Sequence, residues 1–251
     1  MAIVLLAAGR GTRMKDLVSD RPKAMVTVCG DQSILDLNIR GILAEGSDKH
    51  TIVVSGYRRD VIDRYVGEQR ARGIDVETVH NSEYSNRGPL MSIKIALDVV
   101  SLNEPVVIGN GDTYFNSQMF RSVCREPRSS KLLVSRVSTP DIDDMLVELD
   151  TQGNVRRASK IGFDSSFVSS GLLVVQQDDY RIFKRCIEDL LSHETTSNIQ
   201  ISWHSVLKEV VERGVVVTAE CVPRSAWYEF DSSECIARFN NIRNGAVAIH
   251  G

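Results

Sequence analysis

The residues with the clearest chemical potential lie near the start of the chain, in the string Leu6-Ala-Ala-Gly-Arg-Gly-Thr-Arg-Met14. The string follows an apolar run, and its glycines would let backbone N–H groups approach a polyphosphate closely. Arg13 and Lys23 would add the positive charge that two anionic substrates need in order to meet. A glycine turn with solvated arginines is the alternative for this string alone. The string indicates a nucleotide-phosphate site, but it matches neither GxxxxGK[ST] nor a full GxGxxG.

Two aspartates far apart in the chain could hold a metal ion. Asp112 closes Gly109-Asn-Gly-Asp112 after a predicted strand, at the sheet edge where open α/β folds bind ligands. Asp231 ends a strand that is predicted over Trp227-Tyr-Glu-Phe-Asp231 because apolar and polar residues alternate there. One or two carboxylates together with substrate phosphates are the usual ligands of Mg²⁺, so we expect both aspartates to bind it. For Asp231 the alternative is a helix N-cap before Ser232-Ser-Glu234.

The first half of the chain alternates strands with amphipathic helices, which is typical of a doubly wound, mostly parallel sheet. The apolar run at residues 2–7 predicts the central strand of that sheet, because strands buried on both faces are continuously apolar. Ser33 is predicted to cap the first helix, which Gly46 ends. The remaining elements are a strand at 51–55, a helix at 58–72, a strand at 76–79, a helix at 90–100 and a strand at 105–108.

After Asp112 the pattern changes to consecutive strands. They are predicted at 132–137, 146–150, 155–160 and 168–175, with Thr151-Gln-Gly-Asn154 as a hairpin turn. Helices at 178–191 and 201–213, a strand at 215–221 and a helix from 232 through 238 follow. We therefore expect one α/β domain over 1–251, with a nucleotide-binding half at about 1–115 and a small β-rich acceptor lobe with C-terminal elements at about 116–251.

The composition is that of a globular protein, with 42% hydrophobic and 25% charged residues among 251. A net charge of −3 gives no electrostatic reason to expect nucleic acid or an anionic membrane as a partner. The first apolar run is too short for a membrane span or a signal peptide, and the five cysteines show no CxxC spacing. The five histidines show no ligand spacing and receive no catalytic role. These features favour a cytoplasmic protein.

Together with the glycine string, Arg21-Pro22-Lys23-Ala24-Met25 resembles the signature of the sugar-nucleotidyltransferase superfamily, LAAGxGTRM followed by PK. Gly111-Asp112 and Trp227-Tyr-Glu-Phe-Asp231 resemble the GD and W-x-E-[IF]-D strings of its choline-phosphate and aminoethylphosphonate cytidylyltransferase branch. The resemblance implies a Rossmann-like nucleotidyltransferase fold with Mg²⁺ on Asp112 and Asp231. It also implies that Arg13 and Lys23 are catalytic, Arg13 facing the leaving phosphates and Lys23 bridging the α-phosphate and the acceptor.

The resemblance also implies which residues contact the two substrates. The nucleotide contacts would be Leu6, Ala7, Ala8, Gly9, Gly11, Thr12, Arg13, Lys23, Tyr84, Asn86, Gly88, Ser92 and Gly111. For the acceptor, the resemblance implies a contact with Lys160; Asp144, by its charge, and Glu229 are the other candidate contacts. Ordinary strand alternation is the alternative for Glu229, and a solvated strand end is the alternative for Lys160. Asp143-Asp144 stands where the choline-type branch tends to place a tryptophan, which weakens the case for phosphocholine and would suit a primary amine.

The implied reaction is the attack of a phosphate or phosphonate oxygen on the α-phosphorus of a nucleoside triphosphate, with release of pyrophosphate. The nucleotide is expected to be CTP and the acceptor a small molecule. One alternative is a uridylyl- or thymidylyltransferase acting on a hexose 1-phosphate. Another is a non-catalytic nucleotide-binding relative, against which the complete set of motif residues argues. A homodimer is compatible with the sequence, although no segment identifies an interface.

Overall fold

The computed structural model describes residues 1–46, 49–101, 103–124, 129–192 and 202–249, and for 244–249 it describes only the backbone. The strands within this part are β1 Ala2–Leu6, β2 Thr27–Cys29, β3 Gln32–Ser33, β4 His50–Ser55, β5 Val76–His80, β6 Val106–Asn110, β7 Thr113–Phe115, β8 Ser130–Arg136, β9 Leu146–Leu149, β10 Val155–Ser159, β11 Phe167–Val175, β12 Val217–Cys221 and β13 Trp227–Glu229. The α-helices are α1 Ile34–Leu43, α2 Arg59–Ala71, α3 Gly88–Val99, α4 Ser117–Cys124, α5 Tyr180–Ser192, α6 Ser205–Glu212 and α7 Ser233–Ile249. Short 3₁₀ helices span Thr12–Val18, Lys23–Met25 and Arg224–Ala226.

Nine of the described strands form one sheet, in which the order β10-β9-β11-β6-β1-β4-β5 is extended by β8, paired with β11, and β12, paired with β8. β1 lies between β4 and β6 and is parallel to both. It is buried along its length because its side chains point alternately into the two helical layers. This confirms both the predicted α/β fold and the central position of the first strand.

Helices cover both faces of the sheet, as expected of a doubly wound fold. Val4 belongs to the hydrophobic core that includes residues of α3, α5 and α6, whereas Ile3 and Leu5 belong to the core that includes residues of α1, α2 and α4. Helix α1 begins as predicted, because the Ser33 hydroxyl accepts a hydrogen bond from the Asp36 backbone N–H at 3.1 Å. None of the helices in the described ranges is long and apolar enough to cross a membrane.

The strands of the second half continue the same sheet, because β11 pairs antiparallel with β6 through Leu172–Val175. The predicted hairpin turn between β9 and β10 is present, and Asp150 N–H donates to the Asn154 carbonyl at 2.8 Å. Helix α4 and the strands β2, β3 and β7 were not predicted. The strand predicted at 227–231 is present as β13, which ends at Glu229, but its pairing with β7 was not predicted. Helix α7 continues to Ile249 instead of ending near 238.

The predicted helix at 201–213 is shorter in the structure. Helix α6 begins at Ser205, and Trp203 and His204 precede it in a turn. Ile201, with which the prediction began, lies outside the described residues, as do His193 and His250.

Candidate active site

The predicted site residues surround a cleft of about 410 Å³ at the carboxyl ends of β1 and β6. Those that line it are Leu6, Ala7, Ala8, Gly9, Gly11, Thr12, Arg13, Lys23, Tyr84, Gly88, Ser92, Gly111, Asp112, Asp144, Lys160 and Glu229. Asp231 reaches the cleft through its contact with Lys23. Asn86 is not among the lining residues: it is exposed, and its Oδ1 accepts a hydrogen bond from Ser85 Oγ at 3.0 Å.

Two glycines of the motifs are required by close packing around the cleft. Gly11 has φ +72, and a Cβ there would lie 2.7 Å from Lys23 Cβ. A Cβ on Gly111 would lie 2.4 Å from the Leu6 carbonyl oxygen, to which Gly111 N–H donates at 3.0 Å. Only glycine permits both approaches. They bring Lys23 beside the first glycine loop and Asp112 beside the end of β1.

Lys23 lies at the centre of the site, with only 8% of its side chain exposed. Its Nζ donates to Asp112 Oδ2 at 2.8 Å and to Asp231 Oδ1 at 2.7 Å. Burial alone would lower the pKa of Lys23, but the two carboxylates outweigh burial and raise it. Lys23 is therefore a permanent cation in a partly enclosed site.

The short ribbon of β7 and β13 brings the two distant aspartates together. Glu229 pairs with Thr113 in this ribbon, and Phe230 N–H donates to the Asp112 carbonyl at 3.1 Å. Asp231 thus follows one strand of the ribbon while Asp112 precedes the other. Because α7 begins at Ser233, Ser232 stands at its N-cap position, so the alternative role of Asp231 as the cap does not apply.

The carboxylates of Asp112, Glu229 and Asp231 form a compact acidic cluster, with oxygen atoms within 4.8 Å of one another. Burial, followed by the charges of Asp112 and Asp231, raises the pKa of Glu229 to about 7. Hard oxygen donors at this spacing, open to a cleft, fit a divalent cation that is also bound by substrate phosphates. The donor set therefore fits the expected Mg²⁺.

Arg13 and Lys160 face each other across the cleft mouth through Asp143. Arg13 Nη1 lies 3.2 Å from Asp143 Oδ2, and Lys160 Nζ lies 3.6 Å from Asp143 Oδ1. Arg13 Nη2 also donates to Asp231 Oδ1 at 2.8 Å. Asp143 is 62% exposed, and such exposed ion pairs contribute little free energy. Asp143 therefore holds these two cations only weakly, and their charges remain available to another anion.

The loop between β5 and α3 forms the opposite end of the cleft, where Tyr84, Gly88 and Ser92 lie. Asn81, which sequence analysis did not single out, is fully buried and organises this loop. Its Nδ2 donates to Ser92 Oγ at 2.9 Å, and its Oδ1 accepts from Glu83 N–H at 2.9 Å. Asn81 therefore fixes the position of Ser92.

Comparison with known proteins identifies the family to which the chain belongs. The family model described as nucleotidyl transferase matches residues 2–155, which include the glycine loop, Lys23 and Asp112. The chain belongs to the nucleotidyl transferase family. The resemblance noted from the motifs is thereby confirmed, and the chain is assigned to a family of enzymes.

Individual relatives of this nucleotidyl transferase differ in substrate. The 2-aminoethylphosphonate cytidylyltransferase of Lancefieldella rimae is 26% identical over 205 residues, which is 81% of this chain and 78% of the relative. The UTP–glucose-1-phosphate uridylyltransferase of Haloferax volcanii is 31% identical over 127 residues, about half of each chain (50% and 49%). A solved structure of a CTP:phosphocholine cytidylyltransferase from Streptococcus pneumoniae has a TM-score of 0.75 at 17% identity and covers 96% of this chain and 98% of its own. This last likeness establishes the fold.

The nucleotidyl transferase cleft also has a wall that the motifs did not predict. It consists of Asn110, Ser169, Ser170, Gly171, Ser202, Trp203 and His204. The His204 ring stacks on the Trp203 ring at 3.7 Å and hydrogen-bonds to Ser169 Oγ at 2.8 Å and Ser202 Oγ at 2.9 Å. Burial lowers the pKa of His204 to about 3, so its ring is neutral. Trp203 and His204 lie inside the helix predicted at 201–213, where a tryptophan-histidine pair gives no sequence signal that separates this wall from an ordinary core.

Proposed function

We propose that this enzyme is a Mg²⁺-dependent cytidylyltransferase that transfers CMP from CTP to a small phosphate or phosphonate acceptor and releases pyrophosphate. The observation that carries the proposal is the placement of Lys23 between Asp112 and Asp231 beside the glycine loop. This arrangement puts a buried cation and two metal-binding carboxylates where a triphosphate would lie. Such a site neutralises developing phosphate charge, and it contains the groups that nucleotidyl transfer requires.

The chain's own residues would act by positioning and by charge. Lys23 would exchange its aspartate partners for the α-phosphate and the acceptor oxygen, while Arg13 would bind the β- and γ-phosphates. Asp112 and Asp231 would hold Mg²⁺, with Glu229 beside them. When bound, Mg²⁺ would neutralise phosphate charge and orient the triphosphate. A phosphate or phosphonate acceptor is largely ionised at neutral pH, so attack on the α-phosphorus needs neither a general base nor a covalent intermediate.

The two ends of the cleft suggest how the substrates divide it. Tyr84, Gly88 and Ser92 would contact the nucleotide, whereas Lys160 and Asp144 would contact the acceptor. Asn86 is left out of the proposed contacts because it does not line the cleft. This division agrees with a nucleotide-binding half at about 1–115 and an acceptor half at about 116–251, although Glu229 and Asp231 of the second half complete the metal site.

The choice of CTP is supported by the relatives that use it, a phosphonate cytidylyltransferase and a phosphocholine cytidylyltransferase. A uridylyltransferase acting on a hexose 1-phosphate is the second candidate, because the Haloferax relative uses UTP and glucose 1-phosphate. That relative aligns with only half of this chain. The chemistry at Lys23 would be the same in both cases.

The nucleotide can be identified without knowledge of the acceptor. Thermal midpoints would be measured with CTP, UTP, dTTP, ATP and GTP, each with and without Mg²⁺. A ligand at about 100 times its Kd adds about 2.7 kcal/mol, and each kcal/mol shifts the midpoint by about 2–4 °C at this size. We expect a Mg²⁺-dependent shift that is largest with CTP. A larger shift with UTP or dTTP would favour the second candidate.

Product formation then tests the reaction itself. The enzyme, Mg²⁺ and the nucleotide with the largest shift would be incubated with 2-aminoethylphosphonate, phosphocholine or glucose 1-phosphate, and pyrophosphate and the nucleotide conjugate would be measured. We expect CMP conjugates in the first or second mixture, and none after EDTA. Absence of transfer from CTP to either acceptor, with transfer to glucose 1-phosphate from UTP, would contradict the proposal.

A further inference from the structure

We propose that Asn110 is an acceptor-binding residue, whose Nδ2 donates a hydrogen bond to an acceptor oxygen, and that Trp203 is the residue that orients it. This inference rests on the proposed function and extends it to residues of the unpredicted wall. It would make the pair Asn110 and Trp203 a determinant of acceptor affinity.

The orientation of the Asn110 amide follows from hydrogen-bond chemistry. Trp203 Nε1 lies 2.8 Å from Asn110 Oδ1. An indole N–H can only donate, so the amide oxygen must face Trp203 and the amide nitrogen must point away from it. Trp203 is itself buried and stacked on His204, whose ring is held by Ser169 and Ser202. The orientation is therefore imposed by a rigid group.

The Asn110 amide nitrogen is available to a ligand. Among the residues that the structure describes, Asn110 Nδ2 has no hydrogen-bond acceptor, and this nitrogen atom is not sealed off from solvent. Asn110 is half-buried and lines the cleft. Its amide packs against Gly171, where a Cβ would lie 2.5 Å from Nδ2. A fixed, unpaired donor at the surface of a cleft is a preorganised contact for an oxygen atom.

The position of Asn110 assigns this donor to the acceptor. Within the sheet, β6 and β11 lie on one side of β1, and β5, whose following loop carries Tyr84, lies on the other. Asn110 ends β6 and contacts Gly171 of β11, so it belongs to the side that also carries Lys160. Asp112 follows two residues later. An acceptor oxygen bound by Asn110 would therefore stay close to the metal site.

Two variants test the proposal. Asn110→Asp keeps an oxygen for Trp203 N–H but replaces the donor by a negative charge, and Trp203→Phe removes the anchoring N–H without adding charge. We expect Asn110→Asp to raise the acceptor KM about tenfold or more, the factor expected for one hydrogen bond to a charged group. Trp203→Phe should raise it several-fold, because the amide can then rotate. In Trp203→Phe the nucleotide KM should stay within about twofold of the wild-type value. The hydrogen bond that is lost lies away from the proposed nucleotide contacts, so its loss should change nucleotide affinity little.

The matched control is Tyr180→Phe. Tyr180 is also a buried aromatic residue whose side chain donates a hydrogen bond, to the Leu97 carbonyl, but it does not line the cleft. This variant should leave the ratio of acceptor KM to nucleotide KM unchanged, even if it lowers the free energy of unfolding. Kinetics would use CTP with 2-aminoethylphosphonate or phosphocholine, whichever the wild-type enzyme converts.

The outcomes separate the two proposals. Transfer from UTP to glucose 1-phosphate, with none from CTP to either acceptor, would overturn the proposed function, and the role of Asn110 with it. Conversion with an unchanged acceptor KM in both variants would overturn the role of Asn110 alone. So would an equal rise of both KM values in Trp203→Phe, because that result would mean a general loss of structure in the cleft.

Discussion

Lys23 is the residue at which three parts of the chain meet: the glycine loop, the end of β6 and the C-terminal ribbon. Its Nζ is held by Asp112 and Asp231, and its stem packs against Gly11. Without substrate, the ammonium group offsets the repulsion between the carboxylates that would bind the metal. In the proposed reaction, the same charge would become available to substrate phosphate. One side chain would therefore serve both the free and the loaded site.

Replacement of Lys23 should abolish most of the activity while leaving the fold intact. We expect Lys23→Ala to lower kcat by about 10²–10³, as removal of a preorganised charge from a transition state commonly does. The measurement is the rate of pyrophosphate release with CTP, Mg²⁺ and the acceptor that the wild-type enzyme uses. Lys208→Ala is the control, because Lys208 is exposed, does not line the cleft and forms an ion pair with Glu212 at 3.6 Å. Near-normal turnover of Lys23→Ala would contradict the proposed mechanism.

At the residue scale, the sequence predicts the charged groups of the site better than the neutral ones. Lys23, Asp112 and Asp231 could be singled out because each lies in a string that resembles a motif of the family and because their residue types suit phosphate or metal. Asn110 and Trp203 could not, because the role proposed for them depends on a contact between residues far apart in the chain. An asparagine at a strand end and a tryptophan before a helix are ordinary without that contact.

At the element scale, the turn after β6 depends on close backbone contact with β1. Gly111→Ala would push a Cβ into the Leu6 carbonyl, and neither backbone can move without breaking the sheet. We expect a loss of at least about 2 kcal/mol of stability, in the range of a strained core substitution. The thermal midpoint should fall by about 2–4 °C for each kcal/mol lost.

The matched control for this prediction is Gly9→Ala. Gly9 belongs to the same cleft, but a Cβ there would meet nothing within 4 Å. The thermal midpoint of the Gly9→Ala variant should therefore stay close to that of the wild-type protein. A similar loss in both variants would show that the contact at Gly111 is not the cause.

Sequence patterns predict the elements that are specified by neighbouring residues, such as a helix cap followed by a regular apolar stripe. Helix α1 has a serine cap and a continuous apolar stripe, so its position was predictable. Helix α4 has the same kind of cap, because Asn116 Oδ1 accepts from Met119 N–H at 3.1 Å, but only three of its residues are buried. The ribbon of β7 and β13 has three residues in each strand, drawn from distant parts of the chain. Its pairing depends on tertiary structure.

At the scale of the whole molecule, His50 joins neighbouring parallel strands at the end of the sheet that lies opposite the cleft. Its ring contacts Asp75 Oδ1 at 2.9 Å and Glu77 Oε1 at 3.2 Å. Burial alone would lower the pKa of His50, but the hydrogen bonds to these carboxylates outweigh burial and raise it. Protonated His50 therefore stabilises the fold below its unfolded-state pKa of about 6.5, and this stabilisation is lost as the pH rises through the folded-state value.

The resulting prediction concerns stability as a function of pH. His50→Gln should lower the thermal midpoint at about pH 5.5–6 and have little effect near about pH 9, where the histidine is neutral in both states. The effect should be small, because the His50 side chain is 37% exposed and solvent screens the pair. In an Asp75→Asn, Glu77→Gln background the same substitution should have no pH-dependent effect. A larger effect at high pH would contradict the prediction.

The separate ribbon of β7 and β13 has a consequence for how this enzyme is inactivated. Asp112 follows a strand of the large sheet, whereas Glu229 ends β13 of the ribbon and Asp231 follows it. Within the described residues the ribbon forms a sheet of its own, and Phe115 and Trp227 join it to the large sheet by packing in the same hydrophobic core as Ile3 and Leu5. A substitution that loosens this packing would separate Glu229 and Asp231 from Asp112 without breaking a backbone hydrogen bond of the large sheet, so we expect it to lower activity before it unfolds the protein.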